Sequence, residues 1–250
     1  MRDQTALVTN AMEFAGPPSV AALLAAGFRV AVHDRQFGNE QARAAHAAAH
    51  PDRIALAEQD PSRLVEAAWS ALGGLDVIVS NDAFQAIHGP IETSSLDDLR
   101  ITLERLVVFP FALAKAAIPR LRDRPGARVV MITSNRTRLP LRGGAIPDAA
   151  RAALNALVRS ISLELAPHEV PVNAIAPNYL YSETYYPRSV FVDDPRGRAF
   201  IEQVVPVGRL ARPEEIGELV RYLATAQGTF MTGAIIDFSG GWPAAPERPA

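Results

Sequence analysis

The chain has no cysteine, which excludes disulfides, thiolate metal sites and a cysteine nucleophile. It has no tyrosine before Tyr179. Net charge is also small, −2, and the 25 basic residues are scattered without a stripe, so the electrostatic footprint of a nucleic-acid binder is missing. No run reaches the roughly 18 apolar residues of a membrane span. The opening "MRDQTALVTN" lacks the apolar stretch of a signal peptide. The expectation is a soluble cytoplasmic protein with no nucleic-acid and no membrane partner, acting on small molecules or assembling with further copies of itself.

Short apolar or β-branched runs alternate with longer helical patterns. The runs are "ALVT" (6–9), "RVAVHD" (29–34), "RIALAEQ" (53–59), "LDVIVSND" (75–82), "ARVVMITS" (127–134), "VPVNAIAP" (170–177) and "GAIIDFSGG" (233–241). Most are too apolar for a half-exposed face, which predicts strands buried on both sides. Alanine- and leucine-rich segments near 18–27, 39–50, 62–72, 96–123, 148–167 and 213–226 lie between them. This alternation predicts an α/β fold: one Rossmann-like, doubly wound domain with a seven-stranded, mostly parallel sheet and helices on both faces. The 250 residues suffice for one such domain. The domain is expected over 1–241, with the proline-rich "WPAAPERPA" (242–250) as an irregular tail.

In such folds ligands sit at the C-terminal ends of the strands. After the first run the text is "TNAMEFAGPPS". A dinucleotide loop needs glycines so that backbone amides can approach a pyrophosphate at a helix N-terminus. Here Gly16 is the only glycine, and Phe14 and two prolines take up the rest. Bulk and missing N–H groups both oppose a phosphate, so no cofactor is expected. Phe14 is either core or pocket wall. Asp34, at the end of the second run, reads as a helix cap or turn residue. In "NDAF" (81–84) an aromatic again stands where dinucleotide enzymes place a glycine.

The chain resembles the short-chain dehydrogenase/reductases and, within them, the halohydrin dehalogenases. The resemblance runs through "ALVTNAMEFAGP", "VHDRQF", "ALAEQDPSRLV", "VIVSNDAF", "FPFALA", "VVMITS", "AIAPNYL", "VPVGRLARPEEIGELVRYLA" and "GGW". It implies a cofactor-independent lyase that interconverts vicinal haloalcohols with epoxides and halide, and opens epoxides with azide, cyanide or nitrite. It also implies a homotetramer, with the helices at 96–123 and 148–167 as subunit contacts. In that family a serine holds the substrate oxygen, a tyrosine phenolate takes its proton, and an arginine lowers the phenol's pKa.

Ser134 and Arg151 fall at the family's spacing, and the tyrosine position holds Pro147. Arginine is effectively always protonated, so Arg151 cannot take the tyrosine's place. It also stands where the dehydrogenases carry a lysine, and segment 97–121 lacks the asparagine they use for proton relay. The nearest titratable neighbour is Asp148, a candidate base that equally suits the first turn of a helix. Pro147 suits a helix start. Ser134 could be an ordinary strand-end serine, and Arg151 a surface charge or ion-pair partner.

"PNYL" resembles the family's halide loop, which makes Pro177, Asn178, Tyr179 and Leu180 candidate halide-binding residues, with Phe14, Tyr185 and Tyr186 as the rest of the wall. A dehydrated halide needs a few N–H donors and apolar cover. Aromatic packing under a loop would give the same text. His46 and His50 have a metal-like spacing, but "HAAAH" lies in a polar, alanine-rich helix, and a surface helix face is expected with no metal. Three readings therefore stand: a dehalogenase-like lyase, a catalytically silent or altered family member, and a nicotinamide-dependent oxidoreductase.

Overall fold

Neighbouring residues of each central strand alternate between two apolar layers, as a pleated strand buried on both faces requires. In β1 (Thr5–Val8), Leu7 packs on one side and Ala6 and Val8 on the other. The same alternation sets Ala31 against Val30 and Val32 in β2 (Arg29–His33), and Ile78 against Val77 and Val79 in β4 (Val77–Asn81). In β5 (Arg128–Ile132) it sets Met131 against Val130 and Ile132. With β3 (Arg53–Leu56), β6 (Val172–Pro177) and β7 (Ile235–Phe238) these strands form one seven-stranded parallel sheet, ordered β3-β2-β1-β4-β5-β6-β7. This computed structural model describes residues 4–245.

Helices cover both faces. On one side lie α1 (Gly16–Ala25) and α9 (Pro213–Thr225), with α2 (Glu40–Ala49) beyond them. On the other lie α3 (Pro61–Leu72), α5 (Phe109–Leu121) and α6 (Ala145–Leu165), whose stripe Leu154, Val158, Ile161 and Leu165 is buried. Strand order reverses between β2 and β4 on either side of β1, so the crevice that doubly wound sheets use for ligands opens at the ends of β1 and β4. No helix of the described residues is long and apolar enough to cross a membrane.

The structure corrects several expectations. The helix expected over 96–123 is broken into α4 (Leu96–Leu103) and α5 by a π-helical turn at Glu104–Val108, a deformation common near functional sites. The helix expected from 148 begins at Ala145, so Pro147 lies inside its first turn. Asp148 makes the first helical bond, to the Gly144 carbonyl at 2.9 Å, so the missing N–H of Pro147 leaves no bond unmade. Two short helices went unforeseen, α7 (Arg188–Phe191) and α8 (Pro195–Val204). The strands also end earlier than expected, at Val8, His33 and Leu56, because their last residues turn into the ligand-side loops.

His46 is not on a surface face. It is the buried residue of α2, its ring 4.8 Å from Phe37 and 4.7 Å from His50. Among the described residues no group of three or more His, Cys, Asp or Glu is arranged to hold a metal. Asp34 caps the turn at 35–38 by accepting from the Gln36 N–H. The expected tail runs partly outside the described residues. Its first residue, Trp242, is buried with its ring 5.7 Å from Tyr179.

Candidate active site

β5 and β6 run side by side, with Ile132 opposite Ile175, and their ends bring Ser134 to Pro177. The Ser134 hydroxyl donates to the Pro177 carbonyl (3.2 Å) and accepts from the Arg136 N–H (3.2 Å). Asn155 of α6 donates to the Ser134 carbonyl at 2.9 Å, which ties the strand end to the helix. Both bonds to the hydroxyl are long, so a substrate oxygen can compete for it.

Arg151, one turn into α6, is 4% exposed. Its Nη1 donates to the Asp82 carbonyl beyond β4 (3.0 Å), and its Nη2 donates to the Tyr185 hydroxyl (3.0 Å). The Tyr185 oxygen also accepts from the Phe84 N–H (3.0 Å) and donates to the Phe84 carbonyl (2.8 Å). Two loops, after β4 and after β6, and the N-terminal part of α6 thus meet on one phenol. Asp148 does not join them. It is ion-paired with Arg136.

The loop after β6 turns through Tyr179, at φ +58°. Asn178 Oδ1 accepts from both the Tyr179 N–H (3.1 Å) and the Tyr186 hydroxyl (2.6 Å). Burial pushes the Tyr186 phenol far above its usual range, and Tyr179 beside it adds to the shift. Ala211 bonds the carbonyl of Tyr179 and the N–H of Tyr181. The Leu180 N–H between them meets no acceptor among the described residues, although Leu180 is 1% exposed. A buried free amide is costly to leave unmade, and it suits an anion.

Whether this site fits a nicotinamide dinucleotide is decided at the β1–α1 loop. Phe14 sits there at φ +54°, its ring edge-on to Tyr185 with centroids 4.8 Å apart. Pro17 and Pro18 open α1, so two of the amides that would face a pyrophosphate do not exist. Asp34, where a ribose would be held, already accepts from the Met12 and Gln36 N–H groups. Gly16 is needed for close approach instead: a Cβ there would stand 2.6 Å from the Asn10 carbonyl oxygen. These residues do not fit the dinucleotide. The loop is held from β4 by reciprocal bonds: Asn81 Nδ2 donates to the carbonyls of Asn10 (2.8 Å) and Glu13 (3.0 Å), and Asn10 Nδ2 donates to the Asn81 carbonyl (2.9 Å).

A cavity of about 460 Å³ lies among these elements. Ser134, Pro147 and Arg151 line it, as do Phe14, Pro177, Asn178, Tyr179, Leu180, Tyr185 and Tyr186. Asp148 does not. Sequence reasoning missed Phe84, Leu106, Leu139, Phe191 and Trp242, which supply much of the apolar wall. The "NDAF" text gave a signal for Phe84; nothing local marked the others. It also missed Asp82, which is fully buried behind Arg151. Burial pushes the Asp82 carboxyl up to about 7, against the opposing effects of the Ser80 hydroxyl bond and the charges of Arg151 and Arg35. One of its oxygens has no hydrogen-bond partner.

Residues 17–243 match the profile of the family described as Enoyl-(Acyl carrier protein) reductase, and the chain belongs to the short-chain dehydrogenase/reductase superfamily. It is 32% identical over 246 residues to an uncharacterized oxidoreductase of Mycobacterium tuberculosis, covering 96% of this chain and 92% of that one. It is 29% identical over 185 residues to dehydrogenase/reductase SDR family member 4 of Homo sapiens, covering 74% of this chain and 66% of that protein, just under two thirds of its length. A solved halohydrin dehalogenase (HheC) bound to ethyl (2S)-oxiran-2-ylacetate is similar at a TM-score of 0.94 and 36% identity, over 99% of this chain and 100% of that chain.

Proposed function

We propose that the protein is a halohydrin-dehalogenase-type lyase that interconverts vicinal haloalcohols with epoxides and halide without a nucleotide cofactor. The observation that carries this reading is Phe14. Its ring, with Tyr185, fills the loop where a pyrophosphate would lie and closes an apolar pocket beside Ser134 and Arg151. The Leu180 amide supports it as an anion donor under aromatic cover, and the similarity to a solved halohydrin dehalogenase supports it independently. Ser134 would hold the substrate oxygen. Phe14, Pro177, Asn178, Tyr179, Leu180 and Tyr186 would surround the departing halide, and a small anionic nucleophile such as azide, cyanide or nitrite would enter there in the reverse direction.

The family profile and the oxidoreductase names of the sequence relatives favour a nicotinamide-dependent reductase as the second reading. The Phe14 loop, Pro17 and Pro18 count against it. As a homotetramer, the protein would use the faces of α4, α5 and α6, where Ile101, Phe111 and Leu163 are exposed in the single chain. The test of function is halide release from a panel of small vicinal haloalcohols, with Ser134→Ala as control. Release that depends on Ser134 supports the lyase. No release by a folded protein favours the silent or altered member, and micromolar NAD(P) binding favours the reductase.

A further inference from the structure

The α6 first turn carries proline where the reaction proposed above requires a proton acceptor, and Arg151 stands beside it with no phenol from its own helix. The guanidinium is nevertheless occupied by a phenol. Tyr185 reaches Arg151 from the loop after β6, more than thirty positions along the chain, and lines the same cavity as Ser134 and Pro147. We propose that Tyr185 is the proton acceptor of this site, replacing the phenol that position 147 lacks. The inference rests on the lyase reading.

The surroundings of Tyr185 suit that task. Its loop is fixed at both sides: Ser182 Oγ accepts from the Tyr185 N–H (3.2 Å), and the Thr184 hydroxyl donates to Glu13 (3.1 Å). Its ring is set edge-on by Phe14. Its oxygen accepts from two donors, Arg151 Nη2 and the Phe84 N–H, and gives its own proton to the Phe84 carbonyl. A phenolate oxygen has room for three acceptor bonds. Once the proton is gone, two positions stay filled by Arg151 and the Phe84 N–H, and the third, which faces the Phe84 carbonyl, takes a substrate hydroxyl when that carbonyl gives way.

The step balances. The phenolate oxygen of Tyr185 takes the hydroxyl proton, the alkoxide lone pair forms the new carbon–oxygen bond, and the carbon–halogen bond breaks with its electron pair leaving as halide. The proton on Tyr185 then passes to water and restores the phenolate.

The test measures bromide release from 1-bromo-2-propanol by the full chain as wild type, Tyr185→Phe, Pro147→Tyr and the double variant. Tyr185→Phe should lose about 10²-fold or more of kcat, as expected for a positioned base, while still binding bromide. The double variant should recover part of that loss, because a phenol at 147 can reach Arg151 from its own helix. A merely structural role for Tyr185 predicts no such recovery. A 3-fluorotyrosine at 185 keeps the ring and is more acidic, so the rise of kcat with pH should move to lower pH. That variant also serves if Tyr185→Phe fails to fold.

If Tyr185→Phe keeps wild-type kcat, or fluorination leaves the pH profile in place, Tyr185 is not the acceptor and the lyase reading survives. The same holds if wild type is silent and Pro147→Tyr is active. If both are folded and silent, the lyase reading itself falls and takes this inference with it.

Discussion

Asp148 is ion-paired with Arg136 and not with Arg151, although Arg151 stands one helical turn further along α6. Arg151 gives its two terminal nitrogens to the Asp82 carbonyl and the Tyr185 hydroxyl instead. The carboxylate nearest the vacant tyrosine position is therefore committed to holding the β5–α6 turn. Asp148→Asn should cost about 1–3 kcal/mol of stability, the range for a charged hydrogen bond lost from a largely buried pair. Its effect on kcat should be much smaller than that of Ser134→Ala. Urea unfolding and halide release on the same preparation check both. Loss of turnover at unchanged stability would make Asp148 the base.

Bromide should bind at the Leu180 amide, between Phe14 and Tyr179. Anomalous scattering from bromide-soaked crystals locates it. Trp242 lines the cavity, so its fluorescence should be quenched by bromide at the same concentrations, and Trp242→Phe should remove the response. Bromide found only on the outer surface would refute the halide pocket.

Phe14 should invert the usual order of small substitutions. At φ +54° a Cβ is a burden, so Phe14→Gly should be more stable than Phe14→Ala by about 1 kcal/mol. Both should lose bromide affinity. Calorimetry should detect no micromolar binding of NAD or NADP to wild type, and none to Phe14→Gly, because Pro17 and Pro18 still deny the pyrophosphate its amides.

Two buried groups make opposite contributions to the pH dependence of stability. The Asp82 carboxyl, raised to about 7 in the folded protein, stays protonated where the unfolded chain has ionised, so its contribution is full below pH 4 and is lost as pH rises to 7. His33, lowered to about 4 by burial, refuses a proton that the unfolded chain takes near 6.5, so its contribution is lost as pH falls through that window. The two oppose each other in wild type over much of the same pH window. Asp82→Asn removes one of them, and its stability should rise with pH relative to wild type by up to roughly 4 kcal/mol between pH 4 and pH 8. Urea midpoints across that range would show parallel curves if Asp82 were an ordinary carboxylate.

The sheet was legible because its strands are apolar on both faces, so Leu7 and Val8, or Met131 and Ile132, read alike whichever side they pack on. Ser134 and Arg151 were legible because they stand at a fixed spacing across one strand–helix junction. The start of α6 was not, since Gly144 offers no capping side chain and Ala145 and Ile146 carry no start signal. His46 was misread because an alanine-rich helix has no apolar stripe to mark its inner face. The phenol on Arg151 was out of reach for a different reason. Nothing local to Tyr185 encodes a partner in another helix, and the contact exists only once α6 and the loop after β6 close over the same crevice.

The lacing of Asn10 and Asn81 separates the outline of the β1–α1 loop from its lettering. Asn81 is fully buried in β4 and grips the carbonyls of Asn10 and Glu13, main-chain groups that every residue type possesses. A saturation library at Met12, which is 41% exposed and hydrogen-bonds to Asp34 through its backbone N–H, should therefore repaint the outer face of the loop without moving it. The same library at Asn81 would be mostly dead. A breeder of new substrate ranges would leave the strand alone and edit the loop one letter at a time.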